Sequence, residues 1–388
     1  MAVVSITGND AVGTAMKQIN PDVVAAFPIT PQTELMHKFA EFHANGEVDT
    51  ELVLVESEHS AMSAVIGAAA AGARSMTATC SAGMALMWET LYIAASLRLP
   101  IVMPLVNRAL SGPINIHNDH SDSMGARDAG WIQLFSENSQ EAYDQTILAP
   151  RIAEHADVQL PVMVTFDGFI ISHTMELVDL LEDAQVREFV GPYRPAESLL
   201  NLERPVTFGP LDLQDYYMEH KRQQHEGTVQ AHRVIPEVFD AFAALTGRRY
   251  RIFEEYETED ADIVLVVLGS TAGTARHTLR ELRREGKKVG VLKLRLFRPF
   301  PVADIVQALR GVKKVGVLDR NLTFGQCGVF AEEIKAALYD SDVRVPLFDF
   351  VLGLGGRDVT PATIRQVAEH VLTHEAPTER IIWIGVKP

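Results

Sequence analysis

The sequence has 388 residues, enough for two domains that each bury a core. Its 35 basic and 51 acidic side chains leave a formal net charge of −16, which repels polyphosphate backbones and anionic membrane surfaces and so disfavours nucleic-acid binding. Its two cysteines, Cys80 and Cys327, exclude a disulfide framework and a cysteine-held cluster, so any iron–sulfur carrier would sit on another chain.

The opening residues, MAVVSITG, carry no basic stretch leading into an apolar core, unlike a signal peptide. The longest apolar stretches, 61–73 and 84–99, are interrupted by Gly, Ser, Glu or Arg before they reach the roughly 20 residues of a membrane span. A cytoplasmic protein with no membrane contact is expected.

From the start, short β-branched runs alternate with longer runs of small residues, the pattern of a parallel sheet with helices on both faces. Strands are predicted over 23–27, 51–55, 76–80, 101–106 and 161–166, with helices over 11–19, 34–44, 58–72 and 84–97 between them. The run 191–210 holds four prolines and reads as an excursion leading into a helical stretch over 215–245. After the acidic segment 254–260 the pattern restarts, with strands over 263–268, 289–294 and 314–318 and helices over 272–285, 302–309 and 330–338. The expected organisation is a doubly wound α/β domain over 1–252 and a smaller α/β domain over 253–388. The charged face of Arg280, Glu281, Arg283, Arg284 and Glu285 reads as a solvated helix face, with a docking surface as the other reading.

Three constellations follow strand ends, where open α/β sheets gather ligands. In the first, Phe27-Pro28-Ile29-Thr30-Pro31, two prolines stiffen a loop that can present backbone groups and the Thr30 hydroxyl; alternatively Pro31 merely starts the next helix. In the second, Glu56 and Glu58 precede a helix of very small side chains. Either carboxylate would suit a first helical turn, yet capping leaves those small residues unexplained. In the third, Arg108 of Asn107-Arg108-Ala109 offers a planar fork to a carboxylate, or an interface salt bridge. The polar run Asn115, His117, Asn118, Asp119, His120 and Asp122 matches no zinc spacing and reads as a water-accessible lining, so no metal ligand set is assigned.

Together with 166–173 (FDGFIISH), these segments resemble the alpha chains of 2-oxoacid:ferredoxin oxidoreductases, most closely the pyruvate branch. The second half adds 297–301 (FRPFP), 318–321 (LDRN) with 324–326 (FGQ), and 353–358 (GLGGRD), similar to that family in the same order. The resemblance implies a pyrimidine-binding thiamine diphosphate domain followed by a domain like the carboxy-terminal one of transketolase. It implies that Glu58 bonds the aminopyrimidine ring nitrogen and favours the imino tautomer, that Pro28 and Ile29 line the cofactor, and that Thr30 and Arg108 contact the oxoacid. The implied reaction is oxidative decarboxylation of pyruvate to acetyl-CoA and carbon dioxide with reduction of ferredoxin, coenzyme A being the co-substrate, in anaerobic metabolism.

The chain lacks the Gly-Asp-Gly segment with a distant Asn that holds magnesium and pyrophosphate in thiamine enzymes. The cofactor is therefore expected to be shared with a beta-type chain carrying the magnesium, while gamma- and delta-type chains complete a complex in which partners hold the iron–sulfur clusters. A dimer of such heteromers is expected. Action on 2-oxoisovalerate or 2-oxoglutarate, or a non-catalytic scaffold role, are the alternatives.

Overall fold

The protein was analysed as a computed structural model that describes residues 2–387. The chain opens with β1 (Ala2–Thr7), α1 (Gly8–Ile19), β2 (Val23–Ala26), α2 (Thr33–Ala44), β3 (Glu51–Leu54), α3 (Glu58–Ala70), β4 (Ser75–Met76), α4 (Ser81–Leu86), α5 (Trp88–Ser96) and β5 (Val102–Asn107). Then come α6 (Ser121–Gly125), β6 (Ile132–Phe135), α7 (Ser139–Ala153), β7 (Val162–Asp167), β8 (Met175–Leu180), α8 (Asp183–Val190) and α9 (Tyr217–Thr246). The remainder holds β9 (Phe253–Tyr256), β10 (Ile263–Val267), α10 (Thr271–Arg284), β11 (Val289–Leu294), β12 (Leu296–Arg298), α11 (Val302–Ala308), β13 (Lys314–Asp319), α12 (Val329–Tyr339), β14 (Leu347–Val351), α13 (Pro361–Thr373) and β15 (Ile382–Trp383).

Two sheets organise these elements. The larger has the order β12-β6-β7-β5-β4-β2-β3 and is parallel except at β12. Its strands are apolar on both faces because helices cover both. Ala11, Tyr143, Ile147 and Phe239 pack on one side, and Met62, Val65, Leu91 and Ala94 on the other. The smaller sheet has the order β15-β14-β13-β10-β11-β9 and is parallel except at β9, and β1 pairs with β8 as a separate antiparallel ribbon. The expected doubly wound α/β architecture is therefore present in both halves. No helix among the described residues is long and apolar enough to cross a membrane.

Several predicted elements differ in the structure. The strand expected over 76–80 is reduced to Ser75–Met76 plus one bridge from Thr79 to Leu105, as the chain turns into the cap of α4. The helix expected over 84–97 is two helices that meet at Met87, whose carbonyl is engaged by the Thr90 hydroxyl at 2.7 Å. Pro31 does not start α2, because Gln32 is the residue preceding its first turn and the Thr30–Pro31 peptide is cis. The α10 face is not simply solvated: Arg283 pairs with Asp260 at 2.6 Å, and Glu281 and Glu285 pair with Arg365 of α13 at 3.3 and 2.8 Å. Those side chains tie two helices of the same sheet layer together.

The halves are joined tightly. β12 leaves the second half to pair with β6 of the larger sheet, and Met124 and Phe135 of the first half are buried in the core around Phe297 and Phe330. A buried ionic cluster spans the same seam. Lys293, 1% exposed, bonds Glu137 at 2.7 Å and also Glu141, while Arg295, fully buried, bonds Glu141 at 2.7 Å and also Glu254. Arg276 bonds Glu137. Three cations thus meet three carboxylates, with Lys293, Arg295, Glu137 and Glu141 buried at the centre and Arg276 and Glu254 partly exposed at the rim. Removing one partner from such a set leaves a buried charge uncompensated. Lys293→Met is accordingly expected to destabilise the assembled protein by about 3–5 kcal/mol, read as a lowered thermal midpoint. A loss below about 1 kcal/mol would mean that water reaches the cluster.

Candidate active site

Because the larger sheet is parallel, the carboxyl ends of its strands share one edge, and the loops leaving β2, β3, β4, β5 and β7 converge there. The β2 exit is Phe27-Pro28-Ile29-Thr30-Pro31, with Pro28 and Thr30 exposed and Ile29 packed on the core. The β5 exit is Arg108, only 6% exposed. Its Nη1 donates to the Thr30 carbonyl at 2.7 Å and its Nε to the Asn115 carbonyl at 3.0 Å. Two of the three guanidinium nitrogens are thus committed to backbone oxygens, and Nη2 is left for a ligand. The bidentate fork anticipated from sequence gives way to one uncommitted nitrogen on a guanidinium tied to the Thr30 backbone.

Asp122, buried, organises this corner. Its carboxylate accepts from the backbone nitrogens of Ser81 at 3.0 Å and Arg108 at 2.9 Å, and from Asn107 Nδ2 at 2.9 Å. Burial pushes this carboxyl up to about 6 despite those donors. The group joins the exits of β4 and β5, and Ser81 takes a positive φ of 43° to meet it. Cys80 closes the corner by donating to the Thr30 carbonyl at 3.1 Å, its thiol pushed up to about 12 by burial.

The two candidate carboxylates after β3 are separated by their surroundings. Glu56 is exposed and accepts from the Ser60 hydroxyl. Glu58 is the first residue of α3, 5% exposed, and its carboxylate has no hydrogen-bond or ion-pair partner among the described residues. Helix capping is performed by Ser57, whose hydroxyl accepts from the Ser60 nitrogen at 3.2 Å, so Glu58 is not needed for it. The small residues have a visible use. A Cβ on Gly83 would sit 2.6 Å from Glu58 Oε1 and closer still to the Thr79 hydroxyl, itself buried and without a partner. A buried carboxylate and a buried hydroxyl are thus left open beside a helix start that only glycine lets approach. That donor-poor space fits a ring carrying a nitrogen-bound proton, as an aminopyrimidine does.

The polar run after Arg108 is only in part the water-accessible lining that the sequence suggested: His117 is exposed and Asn115 part-buried, but Asn118, Asp119, His120 and Asp122 are buried. Asn118, Asp119 and His120 meet the second half of the chain at Gly356, Gly355 and Arg320, whereas Asp122 turns into the first half. His120 Nε2 meets Asp167 at 2.9 Å, and the other oxygen of Asp167 accepts from the Ser270 nitrogen at 3.1 Å, from the Ser270 hydroxyl and from Arg320 at 3.3 Å. Burial raises the Asp167 carboxyl, but His120, Arg320 and Ser270 outweigh it and hold it well below the usual carboxylate range. Ser270 and Arg320 follow β10 and β13, the adjacent strands where the order of the smaller sheet reverses. The place where such a sheet takes a ligand is therefore filled by a side chain from the other half. The sequence placed Asp167 in the 166–173 motif at the end of an apolar strand, but gave no sign that it reaches the second half. Among the described residues, no group of three or more His, Cys, Asp or Glu is placed to hold a metal ion.

Residues 14–240 match the family model described as pyruvate flavodoxin/ferredoxin oxidoreductase, thiamine diphosphate-binding, and residues 261–364 match pyruvate:ferredoxin oxidoreductase core domain II. The chain is 56% identical over 384 residues to pyruvate synthase subunit PorA of Thermotoga maritima, covering 99% of this chain and 98% of that one. It is 47% identical to the Methanocaldococcus jannaschii protein of the same name, covering 98% and 97%, and 44% identical to ketoisovalerate oxidoreductase subunit VorA of Pyrococcus horikoshii, covering 94% and 92%. Among solved structures it resembles the 2-oxoglutarate:ferredoxin oxidoreductase of Magnetococcus marinus, with a TM-score of 0.73 and 22% identity over 95% of this chain and 65% of that one.

Proposed function

The chain belongs to the pyruvate:ferredoxin oxidoreductase family, and from that premise we propose that it is the alpha-type subunit of a complex that oxidatively decarboxylates pyruvate to acetyl-CoA and carbon dioxide, reducing ferredoxin. The observation that supports the reading is that an unpartnered buried carboxylate, Glu58, a buried guanidinium, Arg108, and Thr30 all lie on loops at one sheet edge. Pyruvate is favoured over 2-oxoisovalerate because the pyruvate synthase subunits compared are more similar to this chain than the ketoisovalerate one.

Thiamine diphosphate, when bound, supplies the nucleophilic carbon and the electron sink for decarboxylation. Glu58 accepts the proton-bearing ring nitrogen of its aminopyrimidine and holds it in a site screened from water, beside Thr79 and Gly83. Pro28 and Ile29 present a stiff backbone to the same ring. Arg108 Nη2 binds the oxoacid carboxylate, and Thr30 offers its hydroxyl beside it, so that the keto carbon is oriented before chemistry begins. We take 1–252 as the pyrimidine-binding unit and 253–388 as the transketolase-like unit, with β12 lent back to the first sheet.

The rest of the machinery belongs to other chains in this reading. A beta-type chain would hold magnesium and the pyrophosphate, and gamma- and delta-type chains would complete a cytoplasmic dimer of heteromers whose iron–sulfur clusters pass electrons to ferredoxin. Exposed Leu86, Trp88 and Ile93 on the helices that pack against α3, the helix that carries Glu58, give a partner an apolar surface. Calorimetry on the lone chain is expected to give only weak thiamine diphosphate binding, whereas the complex purified with its native partners should reduce ferredoxin with pyruvate and coenzyme A. A sub-micromolar, magnesium-dependent affinity of the lone chain would overturn the shared site. A native complex that turns over 2-oxoisovalerate but not pyruvate would overturn the substrate.

A further inference from the structure

We infer that the Gly353–Gly356 turn of the second unit is a positioning element for the substrate receptor: it holds the loop that aims Arg108. The inference rests on the reading of Arg108 as the group that binds the oxoacid carboxylate.

The segment that follows Arg108 is closed at its base, where the Ala109 nitrogen bonds the His117 carbonyl at 3.0 Å and the Leu110 nitrogen bonds the Ser121 hydroxyl at 2.8 Å, but its tip is exposed. Leu110, Ile114, Ile116 and His117 are exposed, and an exposed loop with few buried contacts samples many conformations unless something ties it down. Asn115 is the partly buried exception: its Oδ1 takes the His117 nitrogen at 2.7 Å within the loop, and it reaches outward twice. Its carbonyl takes the Arg108 Nε at 3.0 Å, and its Nδ2 donates to the Gly355 carbonyl at 3.0 Å. Two more bonds run along the seam, from the Gly356 nitrogen to the Asn118 carbonyl at 2.6 Å and from the Gly355 nitrogen to the Asp119 carboxylate at 3.2 Å. The turn is anchored in its own unit by Arg320, whose Nη2 bonds the Gly353 carbonyl at 3.3 Å.

The glycines are required by both backbone and space. Gly355 and Gly356 have φ of 58° and 78°, in the left-handed region that favours glycine. A Cβ on Gly355 would run into Asn115 Nδ2, and one on Gly356 into the Cβ of His117. The second unit thus presses its backbone against the loop at the residue whose carbonyl orients the guanidinium. With Nε held by Asn115 and Nη1 by Thr30, Nη2 has one direction available, and displacement of Asn115 would turn it.

The test compares Asn115→Ala, Gly355→Ala, their double variant and Arg108→Ala in the assembled complex. Steady-state kinetics in pyruvate, thiamine content and hydrogen–deuterium exchange at the thiazolium carbon are measured. Asn115→Ala removes the tie without a clash and keeps the test decisive if Gly355→Ala fails to assemble. Each single variant is expected to raise KM for pyruvate about 5- to 20-fold, within the range that a small misplacement of a binding group costs. Thiamine content and the exchange rate should stay at wild-type values, since Glu58 sits on α3 and shares no contact with this seam. The double variant should raise KM by less than the product of the singles, because Asn115→Ala removes the atoms that Gly355→Ala would strike. Normal KM in the single variants, with a raised KM in Arg108→Ala, would overturn the positioning role alone. Normal KM in all of them, Arg108→Ala included, would overturn the receptor reading beneath it. A loss of thiamine content in step with KM would show general unfolding of the corner and also overturn the inference.

Discussion

Glu58→Gln should slow hydrogen–deuterium exchange at the thiazolium carbon of the assembled complex by about 10²- to 10⁴-fold, the usual worth of a positioned proton-transfer group. The amide keeps the size of the carboxylate and one acceptor oxygen, but it cannot stabilise the proton shift within the aminopyrimidine as an anion does. Glu58 is 5% exposed and unpartnered, so no neighbour in this chain would take over its role. A capping role predicts a different outcome: about 0.3–1 kcal/mol of stability lost with chemistry nearly intact. Ser57 already supplies the cap, so even that loss should be small. Pyruvate binding should survive, because Thr30 and Arg108 are held from β2, β4 and β5 rather than from α3. Glu56→Gln is the control; its carboxylate is exposed and engaged with Ser60, and its exchange rate should stay near wild type. Equal exchange in wild type and Glu58→Gln would remove Glu58 from the mechanism, and collapse in Glu56→Gln alone would mean that the other carboxylate does the work.

Arg108→Ala should lower kcat/KM for pyruvate by the equivalent of about 2–4 kcal/mol, chiefly through KM, while thiamine content stays unchanged. The size follows from burial: a 6% exposed guanidinium has already lost most of its water, so its contact with a carboxylate is little screened. Arg108→Lys should recover only a small part. An ammonium has three donors on one nitrogen, so it cannot stand at the separate places from which Nη1 and Nε reach the Thr30 and Asn115 carbonyls at 2.7 and 3.0 Å while a third nitrogen points outward. Normal pyruvate kinetics in Arg108→Ala would make the residue a loop staple and move the anion site elsewhere.

Much of this was legible in the sequence for a topological reason. Apolar β-branched runs separated by helical runs specify a parallel sheet, and a parallel sheet puts every strand's carboxyl end on one edge. Polar residues directly after such strands, Thr30, Arg108 and the Glu56–Glu58 pair, were therefore bound to lie near one another. The family motifs, spread over both halves, are short and close to strand ends for the same reason. Local chemistry also placed α9 and, in the second half, β10, α10, β11, α11, β13 and α12 within a residue or two, since the strand runs there are strongly apolar and well separated, whereas β9, β12 and everything from β14 onward were not predicted.

Only the tertiary structure separated Glu56 from Glu58. Both satisfy the same local rule, and the difference lies in the approach of Thr79 and Gly83 from a strand exit more than twenty residues later. Likewise the buried polar run around His120 and Asp122 cannot be told from a solvated loop by its composition. Several of its partners, the Arg320 carbonyl and the backbone of Gly355 and Gly356, come from beyond residue 260. The sequence by itself determined the two α/β units, the strand-end loops and the residue types within reach of a ligand, because these follow from periodicity and from local backbone preference. Which carboxylate is buried, how many Arg108 nitrogens remain free, and that Asp167 fills the ligand crevice of the second sheet were decided by long-range packing, because burial and hydrogen-bond partnership belong to the assembled neighbours and not to any one segment.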